Sequence, residues 1–235
     1  MPKIIKQTLL LNVTFYLSLF ALSCSDKSAT SNDALILASS TYPTHTNITA
    51  TTFWVGELAD SSNGFIANDV SAWDGKWKEH YGGLDDPDNR IGYYPASFTP
   101  KENPFYFALP YNDFNNAGIR NQSAFTTVYW ANEKTWAQNE SMCKNVWIQI
   151  IKGDKVAFAQ WEDVGPFEID DAQYVFGSGQ PLNQINNAGL DLSPAVRDYL
   201  GLTGLDIVSW QFVKFENIPD GPWKNIITTS LIQYK

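Results

Sequence analysis

The chain has 235 residues and a formal net charge of −9, with 9 Trp, 11 Tyr and 14 Phe but only 2 Cys and 2 His. That length supports one good core with at most a small appended lobe. The acidic balance repels phosphate backbones and anionic lipid, which excludes nucleic acid as a natural partner, and the scattered Cys and His residues offer neither a metal-binding spacing nor a disulfide framework.

Lys3 and Lys6 precede the apolar run Leu9–Leu22, and Ala21-Leu22-Ser23 places small residues where a signal peptidase reads. Cys24 follows at once, so Ala21–Cys24 resembles a bacterial lipobox with Ala in place of the usual Leu. The expectation is an export signal over residues 1–23, lipidation of Cys24 and an extracytoplasmic product, either an outer-membrane lipoprotein held by its lipid or a secreted protein. Loss of Lys3 and Lys6 with the signal makes the remainder more acidic still. Cys143 is expected to be a small buried hydrophobe, or to pair with Cys24 if that residue is not acylated.

From Ser25 to about Thr52 the chain is rich in Ser, Thr, Asn and Ala and reads as a flexible tether over residues 24–52. One β-barrel domain is expected over residues 53–235, opening with a strand at Phe53–Glu57. In Val70–Gly83, Trp73, Trp77 and Tyr81 recur at four-residue steps, so a short helix would align them. Gly75 opposes that helix and Gly82-Gly83 ends it. Such a strip either stacks on sugar or plugs the domain. Asp85–Asn89 reads as a solvated turn, because it lacks the alternating ligands and glycine of a Ca²⁺ loop.

Pro104–Pro110 reads as a buried strand entering a turn, Asn112–Ser123 as a surface loop and Thr126–Trp130 as a further strand. Val146–Ile151 and Val156–Trp161 form a hairpin about Lys152-Gly153-Asp154-Lys155. The hairpin runs into Glu162-Asp163-Val164-Gly165-Pro166-Phe167, two carboxylates at a strand exit followed by a stiff Gly-Pro bend. A carboxylate on so rigid a mount beside Trp161 and Phe167 is where acid chemistry is expected. Glu168–Asn187 is a long excursion of the kind that borders sites. Leu190–Leu202 is the clearest helix, with Ser193 as N-cap, Pro194 at the first helical position and Gly201 at the stop. Strands at Ile207–Phe215 and Ile226–Tyr234 close the chain.

Three of these pieces fall in a recognisable order. The Asp163–Phe167 turn is followed by Asp191-Leu192-Ser193-Pro194-Ala195 opening a helix, then by Leu200-Gly201 and a closing strand. This resembles the six-stranded double-psi β-barrel of the rare lipoprotein A group and the related barrels of expansins and their endoglucanase relatives. The match covers residues 104–215, and Leu109-Pro110 sits where rare lipoprotein A domains carry a Leu-Pro turn. The resemblance implies a mainly β fold with one short helix and an N-terminal extension, and action on polysaccharide, either peptidoglycan or a β-glucan. It implies that Asp163 matches the acid of lytic transglycosylases with this barrel, and Asp191 the catalytic-type acid of the expansin group. Two positions depart from it. Tyr106 stands where rare lipoprotein A enzymes place a His, and Gly189-Leu190 where expansins carry His-Phe.

A glycan-cleaving enzyme needs one carboxylic acid kept protonated near neutral pH, and hydrolysis with inversion needs a second carboxylate. Asp163 alone suits a transglycosylase, whereas Asp163 with Asp191 suits a hydrolase. Glu162 points to the opposite face of the strand. Against these roles, Asp163 can serve only to hold the bend through backbone N–H bonds, and Asp191 only to favour the helix dipole. Tyr106, Trp161, Phe167, Trp73 and Trp77 are the expected substrate-binding residues. No cofactor is called for, and a monomer is expected. The alternative function is a non-catalytic, expansin-like carbohydrate-binding barrel.

Overall fold

The computed structural model describes residues 42–234. The expected export signal, Cys24 and most of the expected tether lie outside the described residues. Six strands close a barrel in the order β1-β7-β4-β6-β5-β8, namely β1 Thr44–Thr52, β4 Tyr106–Leu109, β5 Trp147–Lys152, β6 Lys155–Val164, β7 Ala188–Leu192 and β8 Asp206–Val213. A two-stranded ribbon, β2 Arg90–Ile91 and β3 Tyr94–Pro95, lies outside it. The short helices are α1 Trp77–Tyr81, α2 Ala124–Thr127, α3 Ala172–Val175 and α4 Pro194–Leu200.

The pairings have an internal symmetry. Exchange β1 with β6, β4 with β7 and β5 with β8, and every pairing maps onto another of the same sense. The parallel pair β1·β7 becomes the parallel pair β4·β6, and antiparallel β5·β6 becomes antiparallel β1·β8. The antiparallel pairs β4·β7 and β5·β8 map onto themselves. Two interlocked three-strand halves related in this way make the mainly β chain a six-stranded double-psi barrel.

Side chains fill a barrel this small. Trp161 lies at its centre, with ring centroids 5.9 Å from Phe107, 6.0 Å from Phe212 and 5.8 Å from Trp73. Strand β6 is buried on both faces over most of its length, because residues 103 and 228 cover its outer side through hydrogen bonds to Gln160. The hairpin β5-β6 turns on Gly153, whose φ of +62° glycine adopts without steric cost. Helix α4 starts under Ser193, whose Oγ accepts from Val196 N at 3.3 Å and from Tyr106 N at 3.3 Å, and it ends at Gly201 with φ +73°.

Several expectations are corrected. The first strand is Thr44–Thr52, inside the expected tether, and Phe53–Glu57 is the turn that follows it. Leu190-Asp191-Leu192 belongs to β7, and the helix begins only at Pro194. The segment at 124–127 is helical where a strand is expected, and the last residues make isolated bridges at Ile232 and Tyr234 in place of a strand. Asp85 is fully buried, pairing with Arg90 and accepting from Tyr106 Oη at 2.8 Å, so it is not a solvated turn residue.

Ser193→Ala removes the acceptor for two buried N–H groups at once. It is expected to lower the unfolding free energy by about 1–2 kcal/mol in urea denaturation, whereas an unchanged midpoint would show that the cap does not hold α4.

Candidate functional site

The site is a row across four neighbouring strands. Thr51 on β1 pairs with Asp191 on β7, Asp191 with Ala108 on β4, and Ala108 with Asp163 on β6. Directly paired residues share a face of the sheet, so the two carboxylates flank one small side chain. Two inter-strand steps set their Cα atoms roughly 10 Å apart. The methyl group of Ala108 leaves the space between them open, and that space is the floor of a cleft of about 460 Å³ lined by both aspartates.

Backbone and neighbours orient each carboxyl. Asp163 Oδ1 accepts from Ala72 N at 2.7 Å and from Val164 N at 2.8 Å, so this oxygen does hold the bend. No hydrogen bond reaches Oδ2 among the described residues, and Asp163 keeps 9 % of its surface exposed as it lines the cleft. Asp191 Oδ1 accepts from Thr51 Oγ1. Its Oδ2 lies 3.4 Å from where a Cβ on Gly165 would stand, which places Gly165 beside the carboxyl.

Burial raises both acids. Asp163 is pushed up to about 7 by burial, against the two N–H bonds that favour its charged form. Asp191 is pushed up to about 8, first by burial and then by the charges of Asp163 and Glu57. The two carboxyls therefore titrate as a coupled pair that retains a proton near neutral pH.

The opposite wall is the loop from residue 57 to 68. Its base is clamped by Gly56 N to Asn68 O at 2.7 Å and Asn68 N to Glu57 O at 2.9 Å. Inside the loop, Asp60 Oδ1 collects Ser62 N and Ser62 Oγ, and Asn63 Nδ2 donates to Leu58 O. Gly64, at φ +67°, sits against Phe167, where a Cβ would fall 2.8 Å from the ring. Phe167 itself has φ +59°, after a cis Gly165-Pro166 bond. Trp54, Phe167, Ile66 and Leu205 give the cleft its apolar surfaces, and Thr52, Ser62, Asn63, Asn68 and Asn186 its neutral polar groups.

Of the residues singled out from sequence, Asp163, Asp191 and Phe167 meet in this cleft. Trp161, Trp73, Trp77 and Tyr106 do not. All four are at most 1 % exposed, and a ring enclosed on every side has no face to offer a sugar. Trp77 and Tyr81 pack with Tyr106 and Phe53, so the aromatic strip is a plug. Tyr106 Oη is occupied by Val55 N at 3.0 Å and by Asp85, and so does not replace the His of the resembled family as a donor to substrate. Glu162 lies across the strand from the cleft and is buried, its carboxyl raised well above the usual range by burial. Sequence reasoning missed Trp54, Glu57 and Thr51, whose one visible signal is their place directly along and after a Thr-rich strand.

No family model matches the chain. A search of curated proteins finds no match either.

The raised carboxyls give a test of their own. In the unfolded chain both titrate near 4, so between about pH 4 and 8 the folded state holds more protons and stability falls as pH rises. Asp191→Asn keeps an acceptor for Thr51 while removing one acid and its repulsion of Asp163. Relative to wild type, its Tm is expected to gain ~3 °C or more between pH 5 and pH 8. Tm curves that stay parallel across this range would mean that Asp191 is not held protonated.

Proposed function

We propose that this protein is an exported cell-envelope protein that cleaves polysaccharide, with Asp163 as general acid and Asp191 as its carboxylate partner. The observation that carries the reading is the shared cleft, in which two aspartates flank Ala108 on adjacent strands, both raised into the neutral range. An acid that keeps its proton near pH 7 can give it to a glycosidic oxygen as the bond breaks. Asp163 is suited to this because Oδ1 is fixed by two N–H groups, which leaves Oδ2 to carry and deliver the proton. The rest of the lining fits a sugar chain, with Trp54 and Phe167 as apolar surfaces and a set of hydroxyl and amide groups to meet sugar hydroxyls. The likeness of the Asp163–Phe167 and Asp191–Ala195 segments to the rare lipoprotein A and expansin-like group agrees with this reading, and peptidoglycan and β-glucan are the substrates it brings forward.

Two routes are open to such a pair, and they differ in pH dependence. If Asp163 acts alone and a hydroxyl of the sugar attacks, activity is lost as pH rises through about 7. If Asp191 must also act as a charged base, the working state is the singly protonated pair with its proton on Asp163; because Asp191 holds its proton to the higher pH, that state is the minor form, most populated between about 7 and 8. Anhydro-ended products mark the first route and new reducing ends the second.

Incubated with sacculi and with soluble β-glucans, the wild-type protein is expected to release soluble fragments. Asp163→Asn is expected to lower release by at least ~100-fold, as loss of a general acid does, while leaving the fold intact. Undiminished release by that variant would remove Asp163 from the chemistry, and glycan retention without any product would favour the binding barrel.

A further inference from the structure

Gly165 lines the cleft beside Asp191, and its backbone does not require glycine. Its φ lies outside the left-handed region that favours that residue. Space does not exclude a side chain either. A Cβ there would meet Asp191 Oδ2 at 3.4 Å, Phe167 N at 3.8 Å and Ala108 Cβ at 4.0 Å, all ordinary contacts. The missing side chain therefore leaves a notch walled by those three atoms. Two of them are polar and unused. Among the described residues Phe167 N donates to no acceptor, and Asp191 takes its hydrogen bond from Thr51 at Oδ1, so that Oδ2 has none. The third wall, the Ala108 methyl, is apolar. Asp163, only 9 % exposed and with Oδ2 likewise without a hydrogen bond, lines the same cleft.

We propose that this notch seats the exocyclic hydroxymethyl group of a hexose, so that the cleft selects glycans of hexoses with a free primary hydroxyl over glycans of pentoses, with Gly165 as the specificity-determining residue. The inference rests on the cleft being a glycan site and adds which group of the sugar is read. Each wall of the notch has a partner in that group. The carbon lies against the Ala108 methyl, in the volume that a side chain at position 165 would take. The hydroxyl accepts from Phe167 N–H and meets Asp191 Oδ2, giving its proton when Asp191 is charged and accepting one when Asp191 is protonated. A pentose presents only hydrogen at this place. It leaves the two polar atoms unpaired against the sugar, which costs more than the loss of an apolar contact.

Calorimetric binding of the wild-type protein to cellohexaose and xylohexaose tests this, since the two β-1,4 chains differ in the hydroxymethyl group alone. Chitohexaose, the N-acetylglucosamine hexamer, serves as a second hexose chain. The tighter-bound of the two hexose hexamers is expected to exceed xylohexaose in affinity by at least about tenfold, from one apolar carbon and two hydrogen bonds. Gly165→Ala fills the notch, and in it that ratio should fall to about one through loss of hexose affinity. A substitution that merely disturbed the cleft would weaken both kinds of chain alike and keep the ratio. Equal affinity for hexose and pentose hexamers in the wild type, or a ratio that survives in Gly165→Ala, would overturn the notch inference alone. Failure of the wild type to bind any of the three would overturn the glycan reading on which it stands.

Discussion

The structure turns on one constraint, that two aspartates share a cleft across a barrel in which every neighbouring strand is hydrogen-bonded. Ala108 is paired on one side to Asp163 and on the other to Asp191. Neither acid can be moved away without breaking a ladder that closes the barrel. Burial and the charge of one acid on the other disfavour two negative charges there, so the pair lowers its energy by keeping a proton. A fold built only for stability would place an apolar pair at these positions. The retained acids are therefore the feature that most directly ties this chain's architecture to chemistry.

The interlocked topology is what brings them together. The two parallel pairs, β1·β7 and β4·β6, are equivalent under the internal symmetry of the barrel, and each presents the C-terminal part of its strands to the same cleft. Around that fixed row the rest of the molecule is cover. The Trp73–Tyr81 segment seals one side, and Ala72 from its start supplies an N–H to Asp163. The 57–68 loop forms the other wall, packed glycine to ring on Phe167. Aromatic rings supply volume to the core, and Trp161 couples the two roles, because its Nε1 donates to the Asp163 carbonyl at 2.7 Å. Filling the barrel thus also stiffens the strand on which the acid stands.

How much of this was legible in the sequence followed the strength of local signals. The hairpin at Val146–Trp161, the Ser193-Pro194 cap and the Gly201 stop each rest on turn or cap chemistry that acts within a few residues. Strand β1 does not show in the sequence because THTNITATT is Thr- and Asn-rich, a composition that suits a linker, while only His45, Ile48 and Ala50 are buried. Threonine is also a good strand residue, and tertiary pairing on both edges decided the outcome. From sequence Asp191 reads as an acid at a helix entry, since the short run Ala188–Leu192 carries no periodicity until β1 and β4 pair with it. Aromatic spacing could not distinguish a plug from a platform, as both place Trp73, Trp77 and Tyr81 on one side; burial alone separates them. Glu57 carries no local signal, because its place in the cleft beside Asp163 and Asp191 depends on segments far along the chain.

The central claim, that Asp163 and Asp191 form a coupled and protonated pair, is tested most directly by following their side-chain carboxyl carbons by NMR through a pH titration of the folded protein. Two midpoints are expected, at about 7 and about 8, each curve displaced when the other aspartate is replaced by Asn. Independent titration of both groups near 4, as in an unfolded chain, would contradict it.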